Sequence, residues 1–325
     1  MASFEVNTVG AGNLAGVYRI VEANDGKLWY SASEWSSTDL WRFDPSTGNN
    51  LEVISYSSGY PFDSISESIT DGAGNQYDVH RIGGEGNYEL LSFNDAGTPG
   101  SNILIPGGPY NGILGDNVIY TSSLFVGVNT GSGGTRLSGA MNASGVSPWS
   151  NSPSNMASAD CVGPDGYVYG RGTTNTELWK VNPTTGTETL VYTGSGALSL
   201  VGTDGTNLWI FDGTDVLVVS TSGTLVHNWG TLPVGLNSVV FCYRPHDALM
   251  YVTGQATSGP NMPLYSIDSS GTVALSTASL CANGVPNYSF CYSDSKTLYF
   301  STSYGASGGL LLQLLESQNH IVMII

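Results

Sequence analysis

Four histidines and a few carboxylates are the side chains of this chain that have the right chemistry for a metal or acid–base site. The histidines are His80, His227, His246 and His320. Imidazole binds transition metals and titrates near neutral pH, which makes it a common ligand and general base. The carboxylates that could complete a divalent-ion site are Glu22, Glu67 and Asp160. Whether these side chains can meet depends on the elements that carry them.

Other motifs with a known chemistry are missing or have a simpler explanation. The sequence contains no phosphate-binding P-loop and no Cys-x-x-Cys pair. The segments Asp204–Asn207 and Asp212–Asp215 are rich in oxygen ligands but lack the spacing of an EF-hand. Turn chemistry explains both, because an aspartate can accept hydrogen bonds from backbone N–H groups that follow it. We therefore predict no cofactor and no bound metal.

The chain is organised by a repeat that Lys27–Gly48, KLWYSASEWSSTDLWRFDPSTG, shows most fully. This stretch predicts a strand, a loop, a second strand and a turn in which proline presets φ and glycine permits positive φ. Glu177–Gly186, ELWKVNPTTG, nearly repeats Asp39–Gly48, DLWRFDPSTG. The weaker copies are Glu89–Gly97, Arg136–Gly145, Asp215–Gly223, Pro263–Gly271 and Gly309–Glu316.

A second marker precedes each copy: an aspartate in a turn, followed by an aromatic residue in the next strand. The pairs are Asp25 with Trp29, Asp71 with Tyr77, Asp116 with Tyr120, Asp165 with Tyr169, Asp204 with Trp209, Asp247 with Tyr251 and Asp294 with Tyr299. They recur every 45 residues or so, a period typical of β-propellers. We predict an all-β, seven-bladed β-propeller with four-stranded antiparallel blades and these aromatics, Tyr77 excepted, in equivalent places on the second strands.

The repeat covers nearly the whole chain, which predicts one domain. Residues 1–15 form an N-terminal arm and residues 16–325 a single propeller domain. The predicted blades are 16–58, 64–107, 108–153, 155–196, 197–233, 235–279 and 280–325. Cys161, Cys242 and Cys291 fall in the opening strands of three blades, where we expect small buried side chains. Cys281 lies in the link between the last two blades.

Composition excludes two classes of partner. The 325 residues include 9 basic and 26 acidic side chains, for a net charge of -17. Such a field repels nucleic acid and anionic lipid. The stretch Met1–Gly16 has no basic segment followed by an apolar one, and no apolar run is long enough to span a membrane. We therefore expect no nucleic acid, no membrane insertion and no secretory signal, and a surface of Ser, Thr, Asn and Gly.

Two blades resemble a known family. ANDGKLWYSASEWSSTDLWRFDPSTGNNLEVIS and GPDGYVYGRGTTNTELWKVNPTTGTETLVYTG are similar to blades of the seven-bladed propellers related to virginiamycin B lyase and the NHL-repeat group. The shared pattern is Asp-Gly-x-Leu-Trp/Tyr, a short gap, then Leu-x-x-h-Asp-Pro-x-Thr-Gly, where h is hydrophobic. For the lyase-like members the resemblance implies histidines and an acid around a metal at the channel mouth. For lactonase-type propellers it implies Glu, Asn and Asp from opening strands around a divalent ion.

The positions of the candidate ligands in the repeat do not match either arrangement. His80 follows a second strand, His227 lies in a fourth strand, His246 in an Asp turn and His320 in the last strand. They therefore do not converge on one end of the channel. The acidic candidates occupy opening strands but share no motif. We predict a protein that is not an enzyme.

Three function classes remain. The first is a structural, decoration or host-recognition module of a virus particle, made in the host cytoplasm and bound to other structural proteins through its termini; a cytoplasmic protein is the alternative location. The second is a propeller that binds a surface glycan or another ligand through the loops Arg81–Asn87, Ser144–Ser154 and Gly254–Pro263. The third is a metal-dependent lyase or lactonase. A fold alone decides none of them.

The two ends of the chain are the candidate interaction sites. By repeat position, Asn319–Ile325 is the outermost strand of the last blade, and its apolar residues are Ile321, Val322, Met323, Ile324 and Ile325. An apolar sheet edge aggregates unless it is covered. We predict that it is covered by a neighbouring subunit or by the arm Ser3–Val9, in which Phe4 and Val6 alternate with polar residues. The arm would then also anchor the protein in its assembly.

Overall fold

The computed structural model shows an all-β molecule. It describes residues 4–8, 16–22, 26–34, 37–55, 65–70, 76–82, 87–93, 99–104, 118–121, 123–130, 136–150, 153–232, 235–257, 261–277, 285–292, 297–303 and 311–316. No residue in these ranges is helical, so these ranges contain no helix that could cross a membrane.

The strands are numbered in chain order. The first nine are β1 Phe4–Thr8, β2 Gly16–Glu22, β3 Leu28–Glu34, β4 Ser37–Asp44, β5 Asn49–Ser55, β6 Ile65–Thr70, β7 Gln76–Ile82, β8 Asn87–Phe93 and β9 Pro99–Leu104. The next nine are β10 Val118–Thr121, β11 Leu124–Thr130, β12 Arg136–Met141, β13 Cys161–Val162, β14 Val168–Arg171, β15 Glu177–Val181, β16 Glu188–Thr193, β17 Ser199–Thr203 and β18 Leu208–Phe211. The last nine are β19 Asp215–Val219, β20 Leu225–Thr231, β21 Leu236–Arg244, β22 Leu249–Ala256, β23 Leu264–Ile267, β24 Val273–Thr277, β25 Val285–Tyr292, β26 Leu298–Ser303 and β27 Leu311–Glu316.

The strands form antiparallel meanders arranged in a ring. β6–β9, β13–β16, β17–β20 and β21–β24 are separate four-stranded sheets, and β10–β12 form a three-stranded one. An eight-stranded sheet contains β2–β5 together with β25, β26, β27 and β1. The first strands β2, β6, β10, β13, β17, β21 and β25 lie next to one another in this order, and β25 lies beside β2. The prediction of an all-β propeller with four-stranded antiparallel blades is confirmed.

The aromatic markers occupy one position in the ring, with one exception. Trp29, Tyr169, Trp209, Tyr251 and Tyr299 all lie buried on the second strand of a meander. Tyr120 does not, because it lies on β10, which is a first strand. Its neighbour across the hairpin, the fully buried Phe125 on β11, holds the second-strand position instead. The prediction for Tyr120 is therefore wrong by one strand.

The three-stranded sheet also departs from the predicted blade. After β12 the described residues 142–150 and 153–154 run as turns and bends where a fourth strand was expected. This segment is nevertheless attached, because the backbone N–H of Ser138 on β12 donates to the Pro153 carbonyl at 2.6 Å. Trp149 anchors it further by donating from Nε1 to the Pro183 carbonyl of the next sheet, at 2.8 Å.

The core is divided among the spaces between neighbouring sheets. One buried cluster joins β17–β20 to β21–β24 and includes Trp209, Phe211 and Tyr265. Equivalent clusters join β13–β16 to β17–β20 and β10–β12 to β13–β16. Large aromatic side chains help to fill these wedge-shaped spaces.

The N-terminal segment closes the ring. β1 pairs antiparallel with β27, from Phe4 opposite Glu316 to Thr8 opposite Leu312. β1 thus occupies the place beside β27 that the sequence predicted for Asn319–Ile325, and those residues lie outside the described ranges. The last repeat copy, Gly309–Glu316, contains β27, which is the third strand of its meander.

Candidate functional site

Three of the recurring Asp–aromatic pairs, those of Asp165, Asp204 and Asp247, form a hydrogen bond across a turn. The Tyr169 hydroxyl donates to Asp165 Oδ2 at 2.8 Å, and the Tyr251 hydroxyl donates to Asp247 Oδ2 at 2.8 Å. In the sheet between them, Trp209 Nε1 donates to Asp204 Oδ2 at 2.9 Å. Each carboxylate therefore satisfies the single polar atom of a buried aromatic ring, which explains why the aspartate and the aromatic residue recur together.

A cation completes two of these turns. Lys180 Nζ lies 3.1 Å from Asp165 Oδ2 and 4.6 Å from the centroid of the Tyr167 ring. Arg244, which is fully buried, bonds Asp247 through Nε at 3.1 Å and also through Nη2. Its guanidinium carbon lies 5.1 Å from the centroid of the Tyr251 ring. These arrangements combine an ion pair with a cation–π contact and bind the turn to the sheet.

The carboxyl groups of both turns have lowered pKa values. Burial opposes ionisation of Asp165, but hydrogen bonds from Tyr169 and Lys180 outweigh it and hold its pKa below the ordinary value. For Asp247 burial again opposes ionisation, and hydrogen bonds from Arg244 and Tyr251 again outweigh it and lower the pKa. A carboxyl group whose pKa is lower in the folded than in the unfolded protein stabilises the fold only while it is ionised.

We expect a measurable effect on acid stability. The contribution of Asp165 and Asp247 should be complete above the pKa of an unfolded aspartate, about 4, and should be lost as pH falls through the lower folded values. Variants Asp165→Asn and Asp247→Asn should be less stable than the wild type at pH 7 and should approach it at the lowest pH. Urea unfolding from pH 7 to pH 2 measures this difference. A constant difference across the range would contradict the prediction.

The candidate metal ligands lie on different elements. His227, on β20, is exposed, and its ring stacks on Trp229 with 4.3 Å between centroids. His246 is exposed in the turn between β21 and β22. His80 lies on β7 opposite Glu89, and His320 lies outside the described ranges.

The acidic candidates also lie on separate strands or beside them. Glu22 ends β2 and Glu67 lies on β6. Asp160 precedes β13 and accepts a hydrogen bond from the Ser158 hydroxyl at 2.9 Å.

The described ranges contain no group of three or more His, Cys, Asp and Glu side chains that could hold a metal ion. The Asp-Gly-Thr turns use their carboxylates internally, as predicted. Asp204 Oδ1 accepts from the backbone N–H groups of Thr206 and Asn207 at 2.8 and 2.7 Å. Asp212 Oδ1 accepts from the N–H of Asp215 at 3.0 Å.

The free cysteines Cys161 and Cys242 are packing residues. Each lies directly opposite the second-strand tyrosine of its sheet, Tyr169 and Tyr251 respectively. Cys242 is buried, as expected, and Cys161 is half-buried. Burial raises the pKa of the Cys242 thiol to about 12, so this thiol stays protonated and unreactive. Cys291 lies opposite Tyr299 in the same way, and Cys281 falls outside the described ranges.

The predicted interaction residues lie at the closing sheet. Phe4 and Val6 lie on β1, opposite Glu316 and Leu314 of β27. The structure therefore places the arm against the last part of the propeller, in backbone register with its third strand. Ile321, Val322, Met323, Ile324 and Ile325 lie outside the described ranges.

Exposed apolar side chains define a second surface, which the sequence reasoning missed. Five large hydrophobic side chains in the described ranges are exposed: Val146, Leu190, Leu225, Val226 and Leu275, at 41–59%. Four of them lie on the fourth strands β16, β20 and β24, and Val146 lies in the segment that replaces a fourth strand. We call these residues the outer apolar belt. The adjacent pair Leu225–Val226 was the available signal, because adjacent strand residues point to opposite faces and an outermost strand cannot bury both.

The fold defines the molecule as a β-propeller similar to the virginiamycin B lyase-like propellers, as the resemblance in the sequence predicted. A streptogramin B lyase is similar with a TM-score of 0.66 and 14% identity, over 97% of this chain and 98% of that chain. Oligogalacturonate lyase from Vibrio parahaemolyticus has a TM-score of 0.69 and 11% identity, over 98% of each chain. YCF48 from Cyanidioschyzon merolae has a TM-score of 0.62 and 13% identity, over 95% of this chain and 98% of that chain. No protein-family model and no curated protein sequence matches the chain.

Proposed function

We propose that the chain is a non-enzymatic interaction propeller that binds a protein partner at the outer edges of its blades. The outer apolar belt carries this proposal. Its members lie on the outermost strands of three successive sheets and in the outer segment that follows β12, rather than on the inner strands. Exposed apolar side chains that share one region of a soluble protein are typical of protein–protein contact sites.

The chemistry of the strands supports the same function. β20 reads LVHNWGT and β24 reads VALST, and neither contains a lysine, arginine, aspartate or glutamate. Outermost strands normally carry charges that prevent association. On a chain with a net charge of -17, uncharged edges with exposed Leu225 and Leu275 are favourable places for a partner to bind.

A virus particle is the setting that we propose for this binding. The very low content of charged residues, 11%, and the Gly-, Ser-, Thr- and Asn-rich composition suit a protein displayed among other structural proteins. Contacts through Phe4, Val6 and Ile321–Ile325 at the chain ends belong to the same proposal. A glycan held by the blade loops is the alternative partner.

We also propose that the ring has seven blades. The eight-stranded sheet divides into the meander β2–β5 and the group β25, β26, β27 and β1. Among the described residues, a single pair of backbone partners, Gly16 and Ser303, joins these two groups. If these two groups are counted as two blades, each of the seven first strands in the ring begins one blade. The repeat of about 45 residues supports the same number.

The double variant Leu225→Ser/Val226→Ser tests the proposed surface. Particles grown with the variant should contain at least 10-fold fewer copies of the chain than wild-type particles, because the change removes the apolar area that a partner would cover. Mass spectrometry of purified particles measures the copy number. Thr214→Ala, at an exposed position in the connection between β18 and β19, is the control and should leave the copy number unchanged.

Each part of the proposal has an outcome that would contradict it. Unchanged copy numbers in the double variant would show that the belt is not the binding surface. Absence of the chain from purified particles would contradict the virion setting. Turnover of streptogramin B or an oligogalacturonate by the purified chain would instead support a lyase of the kind seen among its structural neighbours.

A further inference from the structure

The closing strand β1 is attached to the propeller in an unusual way. It pairs with β27 through five residue pairs, although the two strands lie at opposite ends of the chain. Most other strands pair with the strand next to them in sequence and are held by a short connection. β1 is joined to its nearest neighbour in sequence, β2, by residues 9–15, VGAGNLA.

This topology makes the strand exchangeable in principle. A β1 segment from a second copy has the same sequence and can form the same ladder with β27, so the contacts are equal in the two cases. The closed monomer is favoured only by its linker, which holds β1 near β27 at an effective concentration on the order of millimolar. Where copies are packed at a comparable local concentration, the two arrangements compete.

We propose that β1 is an exchangeable strand that joins copies of this chain to one another. β1 of one copy pairs with β27 of a neighbour, in the same register as in the monomer, and completes the neighbour's closing sheet. The exchange does not depend on the outer apolar belt, because β1 and β27 lie in a different sheet from the belt residues. In this proposal the partner of the N-terminal arm is a second copy of the same chain.

Cysteine pairs in full-length chains test the exchange. Val6 lies opposite Leu314, and Asn7 lies opposite Gln313. Two chains with different affinity tags are co-expressed, one carrying Val6→Cys and the other Leu314→Cys, and are oxidised at total concentrations from about 10 µM to about 1 mM. The pair Asn7→Cys with Gln313→Cys is tested in parallel. Along an antiparallel ladder, hydrogen-bonded and non-hydrogen-bonded residue pairs alternate and differ in their Cα–Cα distance. The two cysteine pairs therefore test one pair of each type.

The expected result is a disulfide between differently tagged chains whose yield rises with concentration. It should exceed by at least 10-fold the yield from Val6→Cys with Glu316→Cys, which are two residues out of register. A chain carrying both Val6→Cys and Leu314→Cys reports closure within one copy. Disulfides only within that double variant, or equal yields from matched and mismatched pairs, would overturn the exchange. Neither result would affect the particle test of the belt.

Discussion

Replacement of Gly271 by alanine is expected to destabilise the protein by about 3–5 kcal/mol. Gly271 lies in the turn between β23 and β24 with φ +81, a conformation that costs an alanine about 1–2 kcal/mol. In addition, a Cβ atom at this position would overlap the indole ring of Trp229, which comes from the preceding sheet. The turn and the ring would have to separate, which would open the contact between two blades.

A matched variant separates the two effects. Gly205 has nearly the same backbone, with φ +84, but no atom lies within 4 Å of the place where its Cβ would be. Gly205→Ala should therefore cost only the backbone strain. Urea unfolding of both variants gives the difference, which we expect to be about 2–3 kcal/mol. Equal losses would mean that the Trp229 contact contributes nothing.

A double-mutant cycle adds an independent check of the same contact. In a Trp229→Leu background the smaller side chain leaves room for the new methyl group, so Gly271→Ala should cost clearly less. Gly186 has the corresponding arrangement two sheet interfaces earlier in the ring. Its Cβ would lie 2.8 Å from Trp149 Cδ2. At Gly186 and Gly271 a tryptophan from the preceding sheet therefore packs against the turn glycine, whereas Gly223 meets the Val191 backbone and Gly48 has no atom within 4 Å of its Cβ position.

The sequence predicted the fold well because the repeat encodes local chemistry. The turn Asp44–Gly48 and the Asp–aromatic pairs are short-range patterns, and each recurs with its hydrogen bonds in the structure, as Asp165 and Asp247 illustrate. The third strand β15, Glu177–Val181, begins where the repeat copy Glu177–Gly186 begins. Tyr120 was misplaced because the sequence pattern of Asp116 followed by Tyr120 also fits a first strand, and only the pairing of strands distinguishes the two cases.

The candidate surface was harder to predict because exposure depends on which strand is outermost and what lies beside it. β16 and β20 both contain apolar residues, as buried strands do, and the sequence alone does not tell which of these residues face solvent. The partner of the N-terminal arm depended on long-range pairing. The alternation of Phe4 and Val6 with polar residues predicts a strand but not its partner strand. The partner, β27, lies about 300 positions further along the chain and is brought next to β1 only when the ring closes.

Asp247→Ala is expected to lower the free energy of unfolding by about 3–5 kcal/mol, because it removes a carboxylate that pairs with the fully buried Arg244 guanidinium. The same change leaves the Tyr251 hydroxyl without the acceptor that it has at 2.8 Å. Asp204→Ala is the matched control in the neighbouring sheet. Its carboxylate accepts hydrogen bonds from Trp209 Nε1 and two backbone N–H groups, all neutral donors, so we expect a loss of about 1–3 kcal/mol.

The double variant Arg244→Met/Asp247→Ala decides whether the buried charge is the cause. Methionine fills much of the volume of the arginine side chain without a charge, so the double variant should be more stable than Asp247→Ala alone. Thermal and urea unfolding of the single and double variants measure the recovery. If the double variant is less stable than Asp247→Ala, the loss of this carboxylate from the buried guanidinium is not the main cost. The stability would then come from the stacking of Arg244 on Tyr251, at 5.1 Å, rather than from the ion pair.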